Sequence, residues 1–142
     1  MISPSHFHPM LVHFPIALIA LGFLAELASF FIKKEVCFSK IAFYLLITGT
    51  LSALFAWLTG ILFTAEMSGS AGDIKEIHKL FALITLGLLL VTSVLRIIIE
   101  WRKTTDIKLK WLAFAFYALA AVSVSITGYF GGTLVYSYMM PL

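Results

Sequence analysis

The stretch Ile77–Ile99, IHKLFALITLGLLLVTSVLRIII, decides the fold of this chain. Between Leu80 and Leu95 it contains no charged residue, and a helix that crosses a bilayer needs about 20 mostly apolar residues. Peptide groups inside the hydrocarbon core must find their hydrogen bonds within the protein, and a helix satisfies them inside one segment. We therefore predict that this stretch is a transmembrane helix.

Three other stretches share this character: about Pro9–Ile32, Ile41–Ala65 and Trp111–Phe130. The 142-residue chain is 61% hydrophobic and 12% charged, with a mean hydropathy of +1.04. A soluble domain of this length could not bury so much apolar surface. The short connections favour antiparallel neighbours. We predict a single all-α integral membrane domain over residues 1–142, a four-helix bundle made of two antiparallel hairpins, with spans at about 9–32, 41–65, 77–99 and 111–130.

The positive charges predict the orientation of the bundle. Eight of the ten Lys and Arg residues lie in or beside the first and third connections, and only Lys75 and Lys79 lie near the second. Cytoplasmic loops carry such an excess, so both termini are predicted to lie outside. The pI near 9.1 is explained by this topology, and no nucleic-acid partner is expected.

The four histidines fall at the predicted outer ends of the spans. His6, His8 and His13 open the first span and His78 opens the third, so the topology brings them to one depth. Ionisable groups inside a membrane are costly and usually functional, which favours a ligand role for His13 and His78. For His6 and His8, a ligand role and a role as polar anchors in the membrane interface are equally good explanations. Pro15 predicts a kink just beyond His13.

A short internal repeat pairs the two hairpins. Leu58-Thr59-Gly60 resembles Ile126-Thr127-Gly128, which predicts hairpins related by an axis along the membrane normal, with His13 and His78 as equivalent residues that face each other. Small residues recur at helical spacing on both second helices and permit close packing or a flat macrocycle. These residues are Gly49, Ala53, Ala56 and Gly60 on one helix and Ala121, Ser125, Gly128 and Gly132 on the other.

Four other residues complete the candidate sites. Lys79, beside His78, could meet a carboxylate of a bound cofactor. Gly131 and Gly132 are expected to end the fourth helix, so that Tyr136 could fold back and close the pocket. Glu26 and Arg96, toward the inner ends of their spans, could form an ion pair or extend to the interface; a proton-path role for Glu26 is an alternative.

Essentially the whole chain resembles a bacterial family catalogued as domain of unknown function 2231, and the two terminal motifs are its most specific part. The matching residues are the opening His8, Pro9, Val12, His13, Phe14 and Pro15, the later segment Gly131–Tyr136, and Thr59, Gly60, His78 and Arg96. The resemblance implies a four-helix, multi-pass protein of the bacterial inner membrane and brings no settled activity. The tail Ser137–Leu142 departs from the family pattern.

The leading functional hypothesis is a b-type cytochrome with His13 and His78 as axial ligands of haem b, because imidazoles on facing helices commonly hold an electron-transfer haem. Its partners would be a quinol or a periplasmic electron carrier, within a larger membrane complex or a homo-oligomer. A copper or zinc site built from His8, His13 and His78 is the second hypothesis. An accessory anchor subunit and a small-solute transporter are the others. No nucleotide or hydrolase motif indicates a stand-alone enzyme.

Overall fold

A computed structural model describes residues 7–32 and 36–138 of the chain. Its helices are α1 (Phe7–Leu11), α2 (His13–Phe31), α3 (Val36–Phe63), α4 (Gly69–Arg102) and α5 (Ile107–Tyr136). Four stretches within the described residues are long and apolar enough to cross a membrane: His8–Phe31, Cys37–Phe63, Gly69–Arg102 and Ile107–Tyr136. The predicted all-α membrane bundle of four spans is confirmed.

The first span is interrupted at Val12, where α1 ends and α2 begins. Pro15 has no N–H to donate to the carbonyl of Leu11, four residues earlier, and its ring crowds that carbonyl. The interruption therefore lies before His13, next to the Leu11 carbonyl that lacks its hydrogen bond. The sequence predicted a kink just beyond His13. Val12 itself keeps helical angles, with φ −63° and ψ −21°, so His8 and His13 point in directions about 140° apart around a nearly regular helix.

The fourth span is longer than its sequence predicted, because α5 continues through Gly131 and Gly132 to Tyr136. Gly69 is the only glycine in the described residues with a positive φ, at +63°, and it lies at the start of α4. The expectation that the glycine pair ends the helix and lets the chain fold back is wrong. Gly131 has a packing role in the helix, described below.

The four long helices, α2 to α5, form a bundle in which each helix packs against two neighbours. The hairpins α2–α3 and α4–α5 are joined by contacts of α2 with α5 and of α3 with α4, so α2 and α4 lie diagonally opposite. The core cluster comprises Ile19, Leu46, Leu89, Tyr117, Ala120 and Val124. Large apolar side chains such as Phe14, Phe55 and Leu83 are exposed on the outer faces, where a lipid bilayer would cover them.

The buried positions reveal the repeat more clearly than the sequence does. Residues buried on α2 recur on α4 70 positions later, as Ile19 and Leu89 do. Three of the five residues buried on α3 have a buried counterpart on α5 71 positions later, as Leu46 and Tyr117 do. The remaining pairs are Pro15 with Thr85, Gly22 with Thr92, Glu26 with Arg96, Ala42 with Ala113, and Gly49 with Ala120.

This register corrects two expectations from the sequence. His8, and not His13, is the counterpart of His78, and Gly60 corresponds to Gly131 and not to Gly128. The predicted small stripe on α5 is also displaced, because its member Ser125 is exposed. A match of two identical residues, Thr-Gly, was too short to define the register. The set of buried residues defines it because each must face the same axis.

Candidate functional site

A large cavity lies between the two hairpins at the end of the bundle that the charge pattern places outside. Its volume is about 900 Å³, and most of its lining is apolar. All five residues that the sequence singled out as a cofactor site line this cavity: His8, His13, His78, Lys79 and Tyr136. The fold therefore brings the first helix, the last turn of α5 and the middle of the sequence to one place.

Two of the histidines face each other across the cavity. The ring centroids of His8 and His78 are 6.2 Å apart, with an angle of 78° between the ring planes. Nδ1 of His8 lies 3.0 Å from the carbonyl oxygen of Ala56 and 3.2 Å from the hydroxyl of Thr59. Nδ1 of His78 lies 3.0 Å from the carbonyl oxygen of Thr127. Ala56 and Thr127 are related by the same 71-residue repeat.

These hydrogen bonds determine the tautomer of both rings. A backbone carbonyl only accepts, so the Nδ1 of each ring must carry the proton and donate it. In a neutral imidazole this leaves Nε2 with a free lone pair. Both rings are thus held in the form that a metal-binding histidine adopts, with the second nitrogen anchored to backbone.

Two glycines make room for the imidazoles. A Cβ atom added at Gly60 would lie 3.0 Å from Cε1 of His8, and one added at Gly131 would lie 3.0 Å from Cε1 of His78. Both distances are shorter than an ordinary carbon–carbon contact. Each ring therefore packs directly against the backbone of the second helix in its own hairpin. The sequence placed both glycines in family motifs but did not predict this contact.

His13 lines the same cavity without facing His78. It is exposed, and its Nδ1 donates to the carbonyl oxygen of Pro9 at 2.7 Å, inside its own segment. The predicted facing pair of His13 and His78 is replaced by His8 and His78, because side chains five residues apart on a helix point in directions about 140° apart. A ligand role for His13 stays a prediction.

A three-ligand metal site is not assembled in the described part of the chain. Residues 7–32 and 36–138 contain no group of three or more His, Cys, Asp or Glu side chains arranged to hold a metal ion. The copper or zinc site predicted from His8, His13 and His78 is therefore not formed in this arrangement. His6, also singled out by the sequence, lies outside the described residues.

Charged residues surround the mouth of the cavity. Lys75 is buried, donates to the carbonyl oxygen of Ala65 at 2.7 Å and pairs with Glu66 at 3.2 Å. The hydrogen bond from Lys75, together with the charges of Lys75 and Lys79, lowers the pKa of the Glu66 carboxyl below its usual value. Lys79 is half-exposed and pairs with Glu76 at 2.7 Å. Tyr136 is 85% exposed and lies at the rim.

Lys75 anchors the connection between the hairpins, a role that the sequence did not predict. Both of its contacts reach back to residues just after α3, so its ammonium group ties that segment to the first turns of α4. Lys79 pairs with the carboxylates of Glu76 and Glu66, and its predicted contact with a carboxylate of a cofactor stays a prediction.

The inner half of the bundle holds a second polar contact on the same diagonal. Nη1 of Arg96 donates to Oε1 of Glu26 at 2.6 Å, and Nη2 donates to the backbone carbonyl and hydroxyl of Ser39 at 3.2 Å. The predicted ion pair between Glu26 and Arg96 is confirmed. Pairing across the bundle is the expected arrangement for charges within membrane spans.

Comparison with known proteins identifies the family. No curated protein and no solved structure matches the chain. A family model described as predicted membrane protein DUF2231 matches residues 4–141, which includes both hairpins, the cavity histidines and both glycines that pack against them. The resemblance predicted from the sequence is therefore confirmed over nearly its whole length, and the chain belongs to the DUF2231 family of predicted membrane proteins.

Proposed function

We propose that this protein is a b-type cytochrome of the bacterial inner membrane, with His8 and His78 as the axial ligands of one haem b near the outer face. The observation that carries the proposal is the pair of imidazoles from opposite corners of the bundle, each with Nδ1 anchored to a backbone carbonyl and the two ring centroids 6.2 Å apart. This arrangement favours His8 over the sequence-predicted His13 as the partner of His78.

The separation of the rings fits one metal centre between them. A metal–imidazole bond is about 2 Å long, and each nitrogen lies about 1 Å from its ring centre, so two ligands on opposite sides of one ion have centroids about 6 Å apart. Two protein ligands are sufficient for a haem, whereas copper and zinc sites usually take three or four from the protein. The donor set therefore supports haem better than a bare metal ion.

The surroundings suit a large, mostly apolar cofactor. The cavity of about 900 Å³ lies at the upper end of the range for ligand pockets. The apolar walls of the cavity would exclude water from the haem macrocycle. Lys79, at the mouth of the cavity, could interact with an acidic substituent of the haem. Gly60 and Gly131 let the Cε1 edges of the two imidazoles approach the backbone closely, which leaves more of the space between the hairpins open.

The residues define what the site does. Hydrogen bonds from Nδ1 to Ala56 and Thr127 orient the rings and raise the basicity of Nε2. A bound haem supplies one-electron redox chemistry, and two histidine ligands leave no open position for a substrate. We therefore infer electron transfer as the role. Because one haem at one face cannot carry electrons across the bilayer, the partner is a quinol or an electron carrier on that face, or a neighbouring subunit.

The test is a reduced-minus-oxidised visible spectrum of the protein purified in detergent from cells supplied with haem precursors. We expect a sharp α-band, with one haem per chain. His8→Ala and His78→Ala should each abolish the low-spin spectrum, while the matched variant His13→Ala should retain it.

Three results would contradict the proposal. A protein that stays colourless and takes up no haem on titration would exclude the cytochrome and favour an accessory subunit. Stoichiometric copper or zinc without haem would favour the metal site. Loss of haem in His13→Ala but not in His8→Ala would restore the pairing expected from the sequence.

A further inference from the structure

A second polar site lies in the inner half of the bundle, away from the residues that line the histidine cavity. Its members come from three helices: Glu26 on α2, Arg96 on α4 and Tyr117 on α5. They are exposed by only 5%, 6% and 1% respectively. Such burial is unusual for two charged groups and a phenol, and in a membrane span it normally accompanies a function.

Each of these side chains has a polar atom that the ion pair does not use. Within the described residues, Oε2 of Glu26, Nε of Arg96 and the hydroxyl of Tyr117 have no hydrogen-bond partner. The hydroxyl of Tyr117 lies against Gly22, which is one helical turn before Glu26 and on the same buried face of α2. The three unpartnered atoms therefore belong to one cluster at the centre of the bundle.

The chemistry of the three atoms indicates which kind of molecule could supply their missing hydrogen bonds. A carboxylate oxygen accepts, an arginine N–H donates, and a phenol does both. A metal cation would be repelled by Arg96 and an anion by Glu26, so a neutral molecule that both donates and accepts fits best. Water has this property, and buried waters typically make about three hydrogen bonds to polar groups that lack other partners.

We propose that this cluster is a hydrated proton-binding site, in which water bridges Glu26, Arg96 and Tyr117 and in which Glu26 exchanges a proton with the inner surface. In this exchange a hydronium ion donates its proton to Oε2 of Glu26 and remains as water, and the reverse step regenerates the carboxylate. The site is independent of the haem proposed at the outer end.

Charged and polar neighbours define a route from this site to the surface. Glu100, one turn further along α4, lies 3.9 Å from Nη2 of Arg96 and is half-exposed. Ser39 of α3 accepts from the same Arg96 nitrogen through its carbonyl and hydroxyl oxygens. The groups that face Glu26 are thus Arg96 and Glu100 from α4, Tyr117 from α5 and, through Arg96, Ser39 from α3. Glu100 is the solvent-exposed end of this series of polar groups.

The first test uses Tyr117→Phe, because the hydrated and the dry cluster predict different changes in the melting temperature, Tm. If water bridges the cluster, removing the hydroxyl leaves that water short of a partner, and we expect the Tm in detergent to fall by at least ~3 °C. If the cluster is dry, the change deletes an unsatisfied buried hydroxyl, and the Tm should stay constant or rise. Tyr44→Phe, at an exposed tyrosine on α3, is the matched control.

The second test needs no variant to detect the water. Infrared spectra recorded in ordinary and in ¹⁸O-labelled water should differ in an O–H band of an internal water, and this band should shift in Tyr117→Phe. A carboxylic-acid C=O band should grow as the pH falls and should be missing in Glu26→Gln. The absence of an isotope-sensitive internal band would overturn the hydration, and a C=O band unchanged in Glu26→Gln would overturn the proton site.

Discussion

The role of Gly131 in seating the His78 ring can be measured against an internal control. Gly131 and Gly132 are neighbours in α5, but a Cβ at Gly131 would lie 3.0 Å from Cε1 and 3.4 Å from Nδ1 of His78, whereas one at Gly132 meets nothing within 4 Å. Alanine in place of glycine favours the helix by up to about 1 kcal/mol, and this gain is common to Gly131→Ala and Gly132→Ala. The difference between the two variants therefore isolates the contact with the imidazole.

The size of that difference follows from the geometry. A Cβ at this distance is closer than an ordinary carbon–carbon contact of about 3.5–4.0 Å, so the ring must move by a few tenths of an ångström. A shift of that size weakens the hydrogen bond from Nδ1 to Thr127, now 3.0 Å, at a cost of up to about 1 kcal/mol. Adding the strain of packing one methyl group too many, about 1–3 kcal/mol, we expect Gly131→Ala to be less stable than Gly132→Ala by about 1–4 kcal/mol.

Two assays check this prediction. Thermal unfolding in one detergent should give a Tm for Gly131→Ala clearly below that of Gly132→Ala. If His78 binds haem, its displacement should also weaken haem affinity about 10–100-fold in Gly131→Ala alone, measured by titration of the purified protein. Equal Tm values and equal affinities for the two variants would refute the reasoning that Gly131 seats the imidazole.

Three further predictions concern charges and topology. Arg96→Met should lower the free energy of unfolding by about 3–5 kcal/mol, because it leaves Glu26 buried without its partner. Adding Glu26→Leu should recover most of this loss, and an equal loss in the double variant would contradict the prediction. Lys75→Met should lower the free energy of unfolding by about 1–3 kcal/mol, because it removes both contacts of a buried ammonium group. Lys79→Met should change this free energy by less than about 1 kcal/mol, and the reverse order would exclude the anchoring role of Lys75. Cys37, the single cysteine and exposed at the start of α3, should react with a membrane-impermeant maleimide in inside-out vesicles but not in intact spheroplasts, and the opposite result would invert the orientation.

The sequence by itself determined the class of the protein and the number of its spans. Hydropathy reports how each segment partitions into lipid, and this property is local, so the stretch Ile77–Ile99 could be recognised without its neighbours. The ends were less well predicted: α4 begins at Gly69 and α5 continues to Tyr136, because helices extend beyond the hydrocarbon core where hydropathy carries no signal. The ion pair between Glu26 and Arg96 was also predictable, since few charges lie within the spans.

Only the tertiary structure decided which groups meet. The sequence placed His8, His13 and His78 at one depth, but it could not tell which of the first two faces His78. That choice depends on the rotation of each helix about its axis, which packing across the whole bundle determines. The same holds for Gly131 and for the hydroxyl of Tyr117, because a contact between residues far apart in the chain is set by the register of two hairpins, which no short motif encodes.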